Sequence, residues 1–304
     1  MNEENELNVS AIFKSIIDSR NFIILVSALF STIALVYSLT LNNVYESKIE
    51  LKYTDTMSTN REGSGLSFLD SLSLTDTSKS NKFIMERIKS RDFFSILYKD
   101  DNFLKNLMAY KSYDSKNNKD EYYSDFYNLE DEKDPWIDGK PSLFLSHEEF
   151  IGSNIEIEKD RESGLVTLTI LHYSPYIAKE WSDKVLMEIN TYMSSIDNKR
   201  ASDAYNFLNE QLNKKAGIQM ARTISAMMEK ELSTLMFTEI LDNYVFEIID
   251  NSVVPERKSS PPRTVIVVLT GMISFIFCCI LVIFLSFNEK KIILSLIPPK
   301  LKIQ

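Results

Sequence analysis

Two uncharged apolar runs, Phe22–Leu41 and Thr264–Phe287, stand 222 residues apart and limit what this chain can fold into. The first holds 20 residues and the second 24, with no Asp, Glu, Lys or Arg in either. A helix rising about 1.5 Å per residue needs about 20 apolar residues to cross a hydrocarbon core of about 30 Å. Both runs meet that length. The expected fold class is therefore an α+β membrane protein, with transmembrane helices at 22–41 and 264–287 flanking an α/β domain at 42–263. A cleaved signal peptide is the competing reading of the first run. Glu3, Glu4 and Glu6 occupy the place of a signal's basic region, and no Ala-x-Ala site follows, which favours an uncleaved anchor.

Two crossings put tails 1–21 and 288–304 on one side of the bilayer. The tails carry Lys14, Arg20, Lys290, Lys291, Lys300 and Lys302, but the loop flanks carry Lys48, Lys52, Arg257, Lys258 and Arg263. The positive-inside rule thus speaks softly, and long loops translocate largely regardless of charge. Cytoplasmic tails and an exported middle domain are expected.

That middle domain holds 38 acidic and 28 basic residues, a balance opposite to the basic face of a nucleic-acid binder. Both cysteines, Cys278 and Cys279, fall inside the second run, so the domain has no disulfide and no cysteine metal site. In the first tail, Leu7, Ile12, Ile16 and Ile17 suggest an interfacial helix.

Period-two patterns mark strands. In Tyr45–Tyr53, Tyr45, Ile49, Leu51 and Tyr53 alternate with Glu46, Lys48, Glu50 and Lys52, the pattern of a half-buried strand. Ile155 and Ile157, then Val166, Leu168 and Ile170, read as a hairpin turned at Gly164. Tyr244–Ile249 reads as a strand returning to the membrane, in one sheet with Tyr45–Tyr53. Phe83–Tyr98 has helical spacing. Residues 55–81 read as loop with at most a short helix, and 111–142 as irregular surface.

No proline falls between Pro175 and Pro255, and Gly217 is the single glycine there. Tyr205, Leu208, Leu212, Ala216, Met220 and Ile224 recur at steps of three or four. A single helix over 201–240 would be about 60 Å long, too long for the domain to cover. It should project, with Leu208, Leu212, Met220 and Ile224 as a stripe for copies of itself. Two helices broken near Gly217 fit the same spacing.

With these parts in order, the chain resembles the polysaccharide co-polymerases, the Wzz-type chain-length determinants. The resemblance is carried by Val44–Tyr53, Ser163–Ile170, Ser174-Pro175 with Ala178, Trp181 and Ile189-Asn190, Tyr244–Asp250, and the string Val254–Arg263 before the second span. It implies a bacterial inner-membrane protein with a periplasmic α/β domain and a ring-like homo-oligomer. The implied role is non-enzymatic: setting how long an O-antigen-like, lipid-linked polysaccharide grows beside its membrane polymerase. The alternative is an export-type relative serving capsule or exopolysaccharide with a separate tyrosine kinase and outer-membrane channel. No Gly-x-x-x-x-Gly-Lys loop occurs in the 17 residues after Phe287, so no fused kinase is expected.

The candidate functional residues are few. Pro255, Pro261, Pro262 and Arg263 form a proline lead-in to the second span; Pro261 and Pro262 suit a first helical turn, with Ser259 or Ser260 as cap. They read as a functional hinge, or as a plain junction. Ser27 with Ser31 and Thr270 with Ser274 have the small-residue spacing of close helix packing in membranes. His147 and His172 read as structural or solvated rather than catalytic, and no metal or cofactor site is expected. The carboxylates Glu130, Asp131, Glu132 and Asp134 read as a solvated face. Tyr110, Tyr113, Tyr122, Tyr123, Phe126, Tyr127 and Trp136 either anchor an irregular segment or offer rings on which a glycan stacks. Expected partners are further copies of the chain, the polymerase, the lipid bilayer and a lipid-linked glycan, and no nucleic acid.

Overall fold

A computed structural model describes residues 17, 19–54, 77–131, 135–214 and 217–296 of the 304. In chain order its elements begin with α1 (Arg20–Thr40), β1 (Tyr45–Tyr53), α2 (Thr77–Ile88), α3 (Arg91–Leu97), α4 (Asp101–Met108), β2 (Tyr110–Asp114) and β3 (Lys119–Tyr122). There follow α5 (Leu143–Glu149), β4 (Ile155–Lys159), β5 (Val166–His172), α6 (Pro175–Asn213), α7 (Ile218–Ile240), β6 (Phe246–Asp250) and α8 (Arg263–Leu296). They divide into two units, Met1–Asn43 with Ser259–Gln304, and Val44–Lys258.

The first unit is a pair of helices. Arg20–Thr40 and Arg263–Phe284 are long and apolar enough to cross a membrane, with mean hydropathies of 2.3 and 3.0. Ile23 packs with Cys278 and Val282, Ser31 lies against Gly271, and Leu41 is bonded to Arg263. The paired numbers fall on one chain as they rise on the other, so α1 and α8 run antiparallel in one register. Among the exposed residues are Leu25, Leu29, Val36, Met272, Phe277 and Phe284, apolar side chains suited to lipid. Helix α8 continues past Phe287, the expected end of the span, to Leu296.

The second unit is built on a four-stranded antiparallel sheet of order β4-β5-β1-β6. The two strands expected to share a sheet are immediate neighbours: Leu51 pairs Ile248 and Tyr53 pairs Phe246. The β4–β5 hairpin forms as its pattern predicts, Ile155 opposite Ile170 and Ile157 opposite Leu168. Gly164 in its turn takes φ +72, a conformation glycine adopts without steric cost. On β1, Ile49 and Leu51 are buried while Lys48, Glu50 and Lys52 are exposed, as period two requires.

Helix α6 lies on β1 and β5. It starts at Pro175, whose fixed φ and missing N–H suit a first helical turn. Ile177, Trp181, Val185, Ile189 and Met193 form its buried stripe, and burial ends at Ala201. Beyond Ala201 the helix runs twelve residues further without the core. The small helices α2–α5 and an aromatic cluster complete the core: Phe93, Phe94, Phe103, Phe150 and Trp181 are all buried. Trp181 and Phe103 have ring centroids 4.4 Å apart.

Three expectations are corrected here. The rod over 201–240 is not one helix. The long helix lies earlier, over Pro175–Asn213, and α7 folds back along it. Ser194 Oγ donates to Thr238 O at 2.9 Å and Asn198 Nδ2 to Thr238 Oγ1 at 2.8 Å, which sets an antiparallel register. Gly217, with extended backbone, caps the return helix and so marks the break. The helix over Phe83–Tyr98 is split at Ser90, whose Oγ accepts from Phe93 N and caps α3. Residues 111–142, expected to be irregular, contain most of the β2–β3 hairpin, turned at Asn118 with φ +49. The expectations for residues 1–16, for residues 55–76, for Glu132, Asp134 and Ala216, and for Lys300 and Lys302 lie outside the described residues.

Candidate functional site

The proline lead-in forms the mouth of the helix pair. Pro261 and Pro262 stand before α8 rather than within its first turn: Ile266 N donates to Pro262 O at 3.1 Å, so Pro262 occupies the cap position itself. That removes Ser259 and Ser260 from capping, because a cap accepts from the N–H two or three residues on. The Ser260–Pro261 peptide is cis, and Pro255 is half-buried further upstream. Arg263 then begins the helix. Its Nη2 donates to Leu41 O at 3.1 Å and to Asn43 Oδ1 at 3.0 Å. The carbonyl of Leu41 lies just past the end of α1, where helix carbonyls lack intrahelical donors. The guanidinium Nη2 supplies one.

The small residues act differently from their spacing alone. Ser27 and Thr270 turn their hydroxyls back onto Ile23 O and Ile266 O of their own helices, both at 2.8 Å. Ser31 is the contact residue, and its partner is Gly271, which the pairing of Thr270 with Ser274 passed over. A Cβ on Gly271 would stand 2.7 Å from Ser31 Oγ. Ser274, three residues on, is buried. The signal for Gly271 was its being the one glycine of the second span.

The stripe on the long segment closes on itself. Ile224 is buried, Leu208 and Leu212 are half-buried, and of the four only Met220 is exposed. The antiparallel register brings Leu208 level with Ile224, so these side chains serve the α6–α7 seam. Among the exposed apolar residues of the hairpin are Phe207, Ile218, Met220, Leu232, Met236 and Ile240.

Polar latches hold the base of that hairpin. Buried Asn190 accepts at Oδ1 from Val245 N at 2.8 Å and Phe246 N at 3.2 Å, and donates to Leu186 O. Buried Asp197 accepts from Tyr244 OH at 3.0 Å and pairs with Arg200 at 3.2 Å. Burial and the Asp197 carboxylate raise the Tyr244 pKa. At the start of α4, Asp100 accepts from Asn102 N and Phe103 N and pairs with Lys184. Burial opposes its ionisation, but the ammonium and the two N–H groups hold its pKa below the usual carboxylate range.

The histidines are structural. His172 is buried against Trp181 and Tyr110; its Nε2–H donates to Asn106 O at 3.2 Å and its Nδ1 accepts from Ser174 N at 3.0 Å. Burial holds its pKa at about 4. His147 Nε2–H donates to Lys89 O at 2.9 Å. Among the described residues no group of three or more His, Cys, Asp and Glu converges as a metal site.

Of the aromatic residues, Tyr110 and Trp136 are buried and Tyr122 and Tyr127 pack on them. Only Tyr123 and Phe126 are exposed, and Tyr113 sits edge-on between Tyr45 and Tyr176. This segment chiefly anchors itself to its own domain.

The family model of the chain length determinant protein, Wzz, matches residues 5–100. No curated protein matches the chain. Among solved structures, a full-length bacterial polysaccharide co-polymerase is similar at 11% identity, with 92% of this chain and 97% of that one covered and a TM-score of 0.38. A fragment of WzzB, a polysaccharide co-polymerase from Salmonella Typhimurium, is similar at 11% identity over 72% of this chain and all of the fragment, with a TM-score of 0.35. The family match, not these distant likenesses, carries the functional reading.

Proposed function

We propose that this chain regulates the length of a lipid-linked, O-antigen-like polysaccharide, acting without a catalytic step beside a membrane polymerase. The observation that carries the reading is the chain-length-determinant match over residues 5–100, a stretch that includes the first apolar helix and the strand β1 that follows it. The antiparallel apolar pair α1–α8 supports anchoring in a bacterial inner membrane, with Val44–Lys258 in the periplasm. The exposed apolar side chains of the α6–α7 hairpin support assembly with further copies, because isolated apolar surface in water favours burial.

The test is a deletion strain whose surface polysaccharide is resolved on a gel. Polymer that persists but loses its preferred length supports the reading. An unchanged ladder, or abolished polymer, overturns it. Loss confined to a capsule or exopolysaccharide would transfer the role to the export-type relatives.

A further inference from the structure

We infer that a small cleft beside His172 seats the acetamido group of a neutral amino sugar. The inference rests on the polysaccharide reading above, which is what would bring sugars to this domain. The cleft has a volume of about 90 Å³, and Asn106, Leu107, Glu149, Ser153, Asn154 and Tyr173 are among its lining residues. Drug-sized ligands occupy about 300–1,000 Å³. A space this small takes one substituent of a sugar, not an oligosaccharide.

Two of its lining residues, Asn106 and Asn154, offer polar groups of opposite type. Asn106 is only 3% exposed. Its Oδ1 accepts from Tyr122 OH at 2.8 Å and its backbone oxygen accepts from His172, while its amide NH2 has no protein acceptor. That NH2 is reached by the solvent of the cleft, so a group that fills the cleft gains by accepting from it and loses by leaving it without its bond to water. Asn154 is arranged the opposite way. Its NH2 is spent on Leu171 O at 2.9 Å, and its carboxamide oxygen remains an acceptor. One open donor and one open acceptor match the C=O and N–H of a secondary amide, and the apolar side chains of Val44 and Leu107 suit its methyl group.

The rim fits the rest of a sugar ring. Tyr173 is exposed and stacked on Tyr110, with centroids 6.2 Å apart and planes at 24°. Tyr110 is itself held by its OH, which donates to Asp120 Oδ1 at 2.5 Å. A fixed aromatic face of this kind packs against the apolar side of a pyranose. Glu149 and Ser153, both exposed at the rim, offer partners for flanking hydroxyls. No Lys or Arg lines the cleft, which disfavours phosphates and acidic sugars.

The experiment is saturation-transfer NMR on the full chain in a non-glycosidic detergent, with N,N′-diacetylchitobiose as probe and cellobiose as its counterpart without acetamido groups. At Kd values of about 1 mM, the weak range expected of a single subsite, transfer should be strongest on the acetyl methyl protons. Ser153→Trp, which fills the rim, and Tyr173→Ala should each reduce it about threefold or more, while Tyr123→Ala leaves it unchanged. Circular dichroism confirms that the variants fold. Absent transfer in the wild type, equal transfer from cellobiose, or full transfer in folded Ser153→Trp each overturns the inference. None of these results alters the sugar ladder of the deletion strain, so the functional reading stands or falls separately.

Discussion

Arg263 reaches from the first residue of α8 to the carbonyl of Leu41, 222 positions earlier in the chain, and closes the open end of the apolar helix pair. The same nitrogen also holds Asn43 at 3.0 Å. Arg263→Ala removes both charge-assisted bonds, and bonds to charged groups contribute about 1.5–3 kcal/mol each. The expected result is a lower melting temperature of the detergent-solubilised protein. Arg263→Lys, which keeps the charge but has a shorter reach and no planar guanidinium, should restore it only in part.

Gly271 and Ser31 make the closest approach between the two helices. Gly271→Ala forces the Ser31 hydroxyl to turn away, at a cost of about 1 kcal/mol or more. Adding Ser31→Ala removes the obstructing oxygen and leaves only a 4.0 Å contact to Ser31 Cβ. The double variant should therefore recover the stability that Gly271→Ala loses, measured by thermal unfolding in detergent. Failure of that rescue would place the cost elsewhere.

Asn190 binds the backbone of the strand β6 to helix α6. Asn190→Ala strips the acceptor from Val245 N and Phe246 N, leaving two buried donors unpaired. Each such loss costs about 1–3 kcal/mol, enough to lower the melting point by several degrees. Asn190→Leu, similar in size but equally without an acceptor, should be no better. A wild-type melting curve for either variant would contradict this role.

His172 makes stability depend on pH. Its folded pKa of about 4 lies below the ordinary 6.5, so between these values the unfolded chain binds more protons than the folded one. Stability from this group is complete above pH 6.5 and falls as pH drops toward 4, by about 3 kcal/mol over the window. Asp100, with its pKa held low, adds a loss of the same sign at more acidic pH. His172→Gln should flatten the dependence above pH 4, read by denaturant midpoints across pH.

The periodic parts of this protein are legible in its sequence alone. Two uncharged runs meet the length of a bilayer, and strict alternation in Tyr45–Tyr53 and Val166–Ile170 yields the neighbouring strands β1 and β5. Such patterns are local, because each residue's face follows from its neighbours along one element. The pairing of β1 with β6 also followed, from two strands placed at the two ends of one loop. What the spacing could not decide was where the helical segment turns. One stripe at steps of three and four fits a single rod and a hairpin equally. The choice rests on side chains far apart in sequence, such as Ser194 and Thr238. The same holds for Arg263 with Leu41, Gly271 with Ser31, and the Asn106–Asn154 cleft. These contacts join residues from different elements, and only packing in three dimensions brings their polar groups within reach.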